Sequence, residues 1–582
     1  MARDGNSPLF SPGRIGPLHL ENRVIMAPMT TRHADAEGFV TEDGLAYYGA
    51  RAAGGVGLVT VEMAAPEPAG KHRRFELGIS DDRFLPGLSR LVGLIHEQGA
   101  KASIQLGHGG GHTRRDICGE EPVAPSAIPH SVQEGHTEVI VPRAMSEARI
   151  AACVEAFAQA ARRAGAAGFD AVEIHAAHGY LISQFLNPLE NRREDRYGGP
   201  LANRARFGLE ILRAVKAAVP GLAVIFRMNG HDFFEHGMTA PEAVEIARWA
   251  AQAGADAIHV TGGHYRSQPS AAIMIPPMAT PPTPFLGFAR AVKAAVPVPV
   301  IGVGRLGDPA RAGAAIAAGD IDFVALGRPL LADPDWVAHA RAGGEVRRCL
   351  ACNSCVDGMR TGSRLHCIVN PTTGRERAFA QARNLLNGKR IAVIGAGPAG
   401  LTYAGLAAAQ NRVTLFERST EPGGALRLAG LAPLYQGVAA DPQSLIAHGD
   451  AALLLCRQRG VQIEMASDPT MKPEQLAGFD HIVVATGATY RGGLGTAVRA
   501  MLATGLARHW PLKAAASHEG LRDWFYHRAR EPGGPRVAAR LAGLGIPIEI
   551  IGDALVPGKT QAAIASAYAA AYGRMDAAAA SA

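Results

Sequence analysis

The sequence predicts an α/β protein in two parts, a (β/α)8 barrel of the TIM type followed by a Rossmann-like domain, with a cysteine-rich segment at their junction. Three observations predict it. Eight short apolar runs alternate with Ala-rich helical patterns through the first part of the chain. Four of the seven cysteines gather between Cys349 and Cys367. Behind them a short strand pattern runs into Gly395-Ala396-Gly397-Pro398-Ala399-Gly400 and a further helix. The boundaries fall at residues 1–345, 346–385 and 386–582.

Composition sets the outer limits. A chain of 582 residues holds two or three domains, and 47% apolar with 19% charged residues is a globular balance. No apolar run follows Met1-Ala2-Arg3, and no stretch is long and apolar enough for a membrane span, so a reduced, cytoplasmic setting is expected. The net charge of +7 is dispersed and forms no basic arm for nucleic acid.

The barrel strands are expected at 23–29, 57–63, 101–107, 170–175, 223–228, 256–262, 298–304 and 322–327. Each is almost continuously apolar, as parallel strands covered on both faces must be. An open doubly wound sheet is the alternative, but eight strands are many for one such sheet. Barrel chemistry sits at the C-terminal strand ends. Those ends carry Pro28-Met29-Thr30, Gln105, His175 to Tyr180, Arg227, His264, Gly304-Arg305 and Gly327-Arg328. Glycines with an arginine after strands seven and eight suit a phosphate. Gln105 can both donate to and accept from an amide-like ring edge, and Arg227 can stabilise negative charge on that ring. Phosphate grip, ring edge and cation together are what FMN requires.

Cys349, Cys352 and Cys355 stand three apart, and Cys367 follows after a loop. That spacing points to four thiolates around a [4Fe–4S] cluster. Structural zinc would more usually use two separated CxxC pairs, and a disulfide fits the crowding poorly. In the third part, strand, Gly395/Gly397/Gly400, helix and a second strand ending at Glu417 come in the order of a dinucleotide-binding unit. Gly424 and Asp553 continue a flavoprotein-like pattern, which favours FAD over bare ADP. Gly492-Gly493-Leu494-Gly495 follows no clear strand, so no second nucleotide unit for NAD(P)H is expected.

The run from His175-Ala-Ala-His178-Gly-Tyr180 to Asn187-Pro, followed by Asn191 to Phe207, resembles the old yellow enzyme signature. With the cysteines and the nucleotide part behind it, residues 8 to about 490 resemble the larger branch that includes 2,4-dienoyl-CoA reductase, trimethylamine dehydrogenase and N-methylproline demethylase. The resemblance implies that Pro28, Met29, Thr30, Gln105, Arg227, Gly304, Arg305, Gly327 and Arg328 contact FMN. It implies that His175 and His178 meet the substrate's polar group, that Tyr180 donates a proton and that His264 lies near the second acid. Thr30 replaces the cysteine that trimethylamine dehydrogenase joins covalently to flavin, so non-covalent FMN is expected. His96, His112 and His236 are read as surface or structural.

Three functions compete. The first is oxidative demethylation of an N-methylated amine or amino acid, with electrons leaving through the cluster to FAD or an external carrier such as an electron-transfer flavoprotein or ferredoxin. The second is an NAD(P)H-dependent enoate or 2,4-dienoyl-CoA-type reductase. The third is a non-catalytic electron-transfer flavoprotein subunit. The cysteine spacing favours the first, and the intact set at the strand ends weighs against the third. The expected partners are a small-molecule substrate with either the carrier or NAD(P)H; a homo-oligomer is allowed, and neither nucleic acid nor membrane is expected.

Overall fold

The computed structural model describes residues 7–573 apart from 135, 433, 436–437, 440, 492–493, 519, 522–523 and 525–527. The chain divides into two compact units, Met1–Gly344 with Cys355–Leu365, and Glu345–Ser354 with His366–Ala582.

The first unit is built on a closed barrel of eight parallel strands, in order Val24–Met26, Leu58–Ala64, Lys101–Leu106, Ala171–Ala176, Ala223–Asn229, Ala257–Thr261, Val300–Gly302 and Phe323–Leu326. Helices cover the outside and side chains fill the inside, so nearly every strand residue is buried. Helix starts are fixed locally. Thr41 caps Glu42–Ala53, and Thr239 with Glu242 forms a reciprocal box at the start of Ala240–Gln252.

Two features of this unit were not anticipated from the sequence. A short antiparallel hairpin, Gly13–Ile15 with Leu18–Leu20, precedes the barrel. Its Ile15, Leu18 and Leu20 pack with Leu58, Ala171, Ala223 and Ala257, the first residues of four strands, and so plug the N-terminal end of the barrel. The second is an insertion after strand three, in which His130–Glu134 pairs with His136–Ile140. The segment Cys355–Leu365 also belongs to this unit. Arg32 Nε donates to the Met359 carbonyl at 3.1 Å, Leu365 N–H to Thr31 O at 3.2 Å, and Arg364 pairs with Asp43 at 3.0 Å.

The second unit carries a parallel five-stranded sheet ordered Gln462–Met465, Arg412–Glu417, Arg390–Ile394, His481–Val484 and Ile548–Ile550. Ala392, Ile394, Ile482, Val484 and Leu541 form its apolar centre. Between the last two strands lies the antiparallel pair Ala488–Tyr490 with Arg530–Pro532. Among the described residues this unit holds one parallel sheet and no second one. Gly492 and Gly493 lie outside the described residues. No described helix is long and apolar enough to cross a membrane.

Candidate active site

The strand registers put Glu173 beside Gln105, and His175, Arg227 and His259 in one row across the C-terminal half of the barrel. Glu173 organises them. Gln105 Nε2 donates to its Oε1 at 2.7 Å, His259 Nδ1 lies 2.7 Å from its Oε2, and Arg227 Nη1 lies 3.7 Å from Oε1. Burial pushes the Glu173 carboxyl up, but His259, Arg227 and Gln105 together hold it below the usual range, so it remains an anion. That anion fixes the aim of Gln105 and Arg227. Arg227 keeps a buried Nε with no hydrogen-bond partner among the described residues, and so does His175 at Nδ1.

Above this row the chain turns sharply. His178 adopts φ 64°, uncommon for a residue with a side chain. Its Nε2 lies 3.0 Å from Thr261 Oγ1, and its backbone N–H donates to Asn229 Oδ1 at 3.3 Å. Tyr180 opens the short helix Leu181–Leu186, with its ring centroid 5.0 Å from that of His175 and 5.7 Å from that of Tyr265. His264 reaches the same place through a backbone bridge to His178, and its Nε2 lies 3.3 Å from Glu190 Oε2. His175, His178, Tyr180 and His264 therefore surround one mouth. Burial, reinforced by Arg227 and the neighbouring histidines, holds His175 and His178 well below the usual imidazole range, so both are neutral at physiological pH. Burial and the nearby Tyr265 keep the Tyr180 hydroxyl well above its usual range and hence protonated.

A narrow cavity of about 10 Å³, lined by Arg73, His112, Tyr180, Tyr265 and Gln268 among others, opens here. His112, read from the sequence as surface or structural, is buried against this cavity, with its ring 4.9 Å from Tyr265. His96 and His236 are exposed beside Asp170 and Glu235.

The remaining barrel candidates occupy the other side of the mouth. Pro28, Met29 and Thr30 are half-buried after strand one, and a Cβ on Gly327 would come 3.0 Å from Met29 Sδ. Gly304 has φ 102° and lies against Phe285. Arg305 donates to the carbonyls of Met278 and Thr280, and Arg328 donates to that of Pro276 at 2.8 Å. Both guanidiniums are thus held by the loop 276–280.

In the second unit Gly395 has φ 110°, and a Cβ there would meet the Ala485 carbonyl at 2.5 Å. A Cβ on Gly397 would instead project into open space, and one on Gly424 would come 3.1 Å from Gly397 Cα. Glu417 ends its strand with both oxygens engaged, accepting from the backbone N–H groups of Ala396 at 2.7 Å and Ser419 at 2.8 Å. Asp553 accepts from Arg530 at 2.8 Å and from Gly558 N–H at 3.0 Å. None of the seven cysteines is joined to another in a disulfide. Cys349, Cys352 and Cys367 belong to the second unit and Cys355 to the first. Ala351 and Asn353, between the first three cysteines, have φ of 51° and 58°, and Ala351 N–H points at Cys349 Sγ at 3.4 Å. Left-handed residues that turn amide hydrogens toward sulfur suit an anionic iron–sulfur group.

Residues 8–346 match the NADH:flavin oxidoreductase / NADH oxidase family, and residues 393–434 match an NAD(P)-binding Rossmann-like domain. The chain belongs to the NADH:flavin oxidoreductase / NADH oxidase family. It is a flavin-dependent oxidoreductase of the old yellow enzyme type. Within that family it is 39% identical to an NADH oxidase of Thermoanaerobacter brockii over 73% of this chain and 65% of the relative. It is 31% identical to an N,N-dimethylglycine/sarcosine dehydrogenase of Chromohalobacter salexigens over 94% of this chain and 80% of the relative. A solved 2-naphthoyl-CoA reductase complex aligns over 97% of this chain and 99% of its own, with a TM-score of 0.83 and 25% identity.

The family's FMN fits the residues present. Arg227 Nε and His175 Nδ1, buried without a hydrogen-bond partner among the described residues, stand in a row in which Glu173 already aims Gln105. The open space above Gly397 likewise suits the close approach of a pyrophosphate. Sequence reasoning missed Glu173, His259, Arg73, Tyr265 and Arg360. A charged or imidazole side chain inside an otherwise apolar parallel strand was the available signal for Glu173 and His259. The other three come from loops far apart in sequence.

Proposed function

We propose that this flavin oxidoreductase oxidatively demethylates an N-methylated amine or amino acid. The observation that carries the reading is the pair of buried His175 and half-buried His178, both neutral beside Tyr180. A neutral imidazole can hydrogen-bond the free amine and adds no positive charge that would repel it. Only the free amine has a lone pair to assist hydride loss from its N-methyl carbon. FMN, when bound, supplies the hydride acceptor. Gln105 and Arg227 would hold its ring and Pro28, Met29, Thr30, Gly304, Arg305, Gly327 and Arg328 its remaining edges, with Thr30 offering no thiolate for covalent attachment. The iminium product is hydrolysed by water to formaldehyde and the demethylated amine. Cys349, Cys352, Cys355 and Cys367 would hold a [4Fe–4S] cluster, and Gly395, Gly397, Gly400, Glu417, Gly424 and Asp553 would hold FAD. The likeness to the dimethylglycine/sarcosine dehydrogenase over 94% of the chain supports this reading.

A second reading is an NAD(P)H-dependent enoate reductase. The protonated Tyr180 favours it, since it can deliver a proton to an alkene carbon, and so does the likeness to an NADH oxidase. Against it stands the single parallel sheet among the described residues of the second unit. Anaerobic mixing of the purified holoenzyme with NADH and, separately, with a panel of N-methylated amines decides between them. Flavin bleaching by an amine with release of formaldehyde is expected; bleaching by NADH alone would select the reductase. For the cluster, about four irons per chain are expected. Cys352→Ala should lose them while keeping FMN, and zinc in place of iron in an anaerobic preparation would refute the ligand assignment.

A further inference from the structure

The mouth holds more buried positive charge than its own acids balance. Arg32 and Arg73 are 1% and 5% exposed. Both turn to one carboxylate, Glu134, at 2.5 and 3.0 Å. Arg360 adds a third guanidinium, its Cζ 5.8 Å from the Tyr265 ring centroid and its Nε buried without a hydrogen-bond partner among the described residues. The other acid at hand is Glu76. Its Oε2 accepts from the backbone N–H groups of His72 and Arg73 and lies 2.6 Å from His72 Nδ1. Among these groups three guanidiniums stand against two carboxylates, and burial raises the next acids, Glu62 and Glu190, toward the neutral form, which leaves positive charge in surplus.

The surplus is not spread evenly. Arg32 is committed to structure, since its Nε and Nη2 donate to the Met359 carbonyl at 3.1 and 2.8 Å. Arg73 lines the cavity beside Tyr180 and Tyr265, and Arg360 stands at the Tyr265 ring. Their field is felt there: burial pushes the Tyr265 phenol up, yet Arg73 and Arg360 draw it below its usual range. A partly buried cation without a counter-ion is costly, and a carboxylate brought beside Arg73 and Arg360 lowers that cost. A carboxylate carries one charge and two acceptor oxygens in the plane a guanidinium fork matches.

We propose that Arg73 and Arg360 form an anchor for the carboxylate of the substrate, so that the enzyme acts on carboxylic acids, and under the demethylase reading on N-methylated amino acids. The inference rests on the mouth being the substrate site. The same two cations repel an ammonium group and so favour the amine in the free-base form that oxidation needs. Arg360 follows Cys355 in the segment packed on the barrel, which makes the neighbourhood of a cluster cysteine also the source of a substrate contact.

Titration of the FMN-loaded enzyme with phenylacetate and with phenylacetamide, read from the visible flavin spectrum, tests the anchor without turnover. The acid should bind about 10- to 100-fold more tightly than the amide, the worth of a charge-assisted hydrogen-bonded pair. Arg360→Gln should remove most of that preference and Arg360→Lys should restore part of it. Arg73→Gln should act in the same direction, and because Arg73 also holds Glu134, the half-buried Arg360 is the deciding position. Equal binding of acid and amide, or an undiminished preference in Arg360→Gln, overturns the proposal. An intact acid preference with no oxidation of any N-methylated acid would instead overturn the demethylase reading and leave the anchor standing.

Discussion

The barrel mouth and the nucleotide turn of the second unit are two candidate flavin sites made from different material. The mouth is made of side chains: Glu173, His259, Arg227, His175 and Tyr180 are all buried, and most have pKa values displaced by burial and by one another. The turn is made of backbone. Its decisive residues are glycines, chosen because a Cβ would strike a carbonyl at Gly395 or fill open space at Gly397. A cofactor that must react needs titratable groups around it, whereas one that must only be held close needs room and amide hydrogens. Substitutions in the first site should therefore change rates and pH dependence, and those in the second should change retention.

The largest effect is expected from Tyr180→Phe. With an activated alkene as acceptor, loss of a positioned acid should slow turnover by about 10²- to 10⁴-fold while FMN content stays constant. With an N-methyl amine, the pH profile of flavin reduction itself should shift. Stopped-flow reduction and reoxidation across pH measures both, and a variant unchanged in both half-reactions removes Tyr180 from the mechanism.

Glu62 gives the next effect. It lies in strand two, accepts from Thr31 N–H at 3.0 Å, and is pushed by burial from 4.5 to about 7. Between those values the folded chain keeps a proton that the unfolded chain releases, so stability falls as pH rises through the window and stays lower above it. The loss is on the order of 3 kcal/mol. Glu62→Gln keeps an acceptor for Thr31 and should flatten that part of the thermal-unfolding profile. Parallel wild-type and variant profiles would mean that this carboxyl is solvated.

The smallest energetic effect is expected from Gly397→Val. Its side chain should enter the pyrophosphate path and weaken adenine-nucleotide binding by about 10- to 100-fold, the usual scale of overpacking, with FMN unaffected. Loss of FMN with nucleotide retained would reverse the assignment of the two sites.

The same contrast governs what could be read in advance. The nucleotide turn was legible because all its information is local: strand, glycines, helix and Glu417 follow one another within a single stretch of chain. The eight barrel strands were legible because burial on both faces leaves continuous apolar runs. His175, His178 and Tyr180 stand together in one long motif after strand four, which made their grouping legible. Arg73, Tyr265 and Arg360 were not, because they meet only when three separate loops fold over the mouth. The N-terminal hairpin was missed because Gly13–Ile15 and Leu18–Leu20 are too short to show a period. Asp553, read as part of a flavoprotein-like pattern, has its carboxylate engaged by Arg530 and Gly558.

That hairpin also ties the start of the chain to the barrel floor. With Ile15, Leu18 and Leu20 packed on the first residues of four strands, that end of the barrel is covered by apolar side chains. A charge placed there, as in Leu18→Asp, should lower the unfolding temperature and leave the pH dependence of turnover where it was.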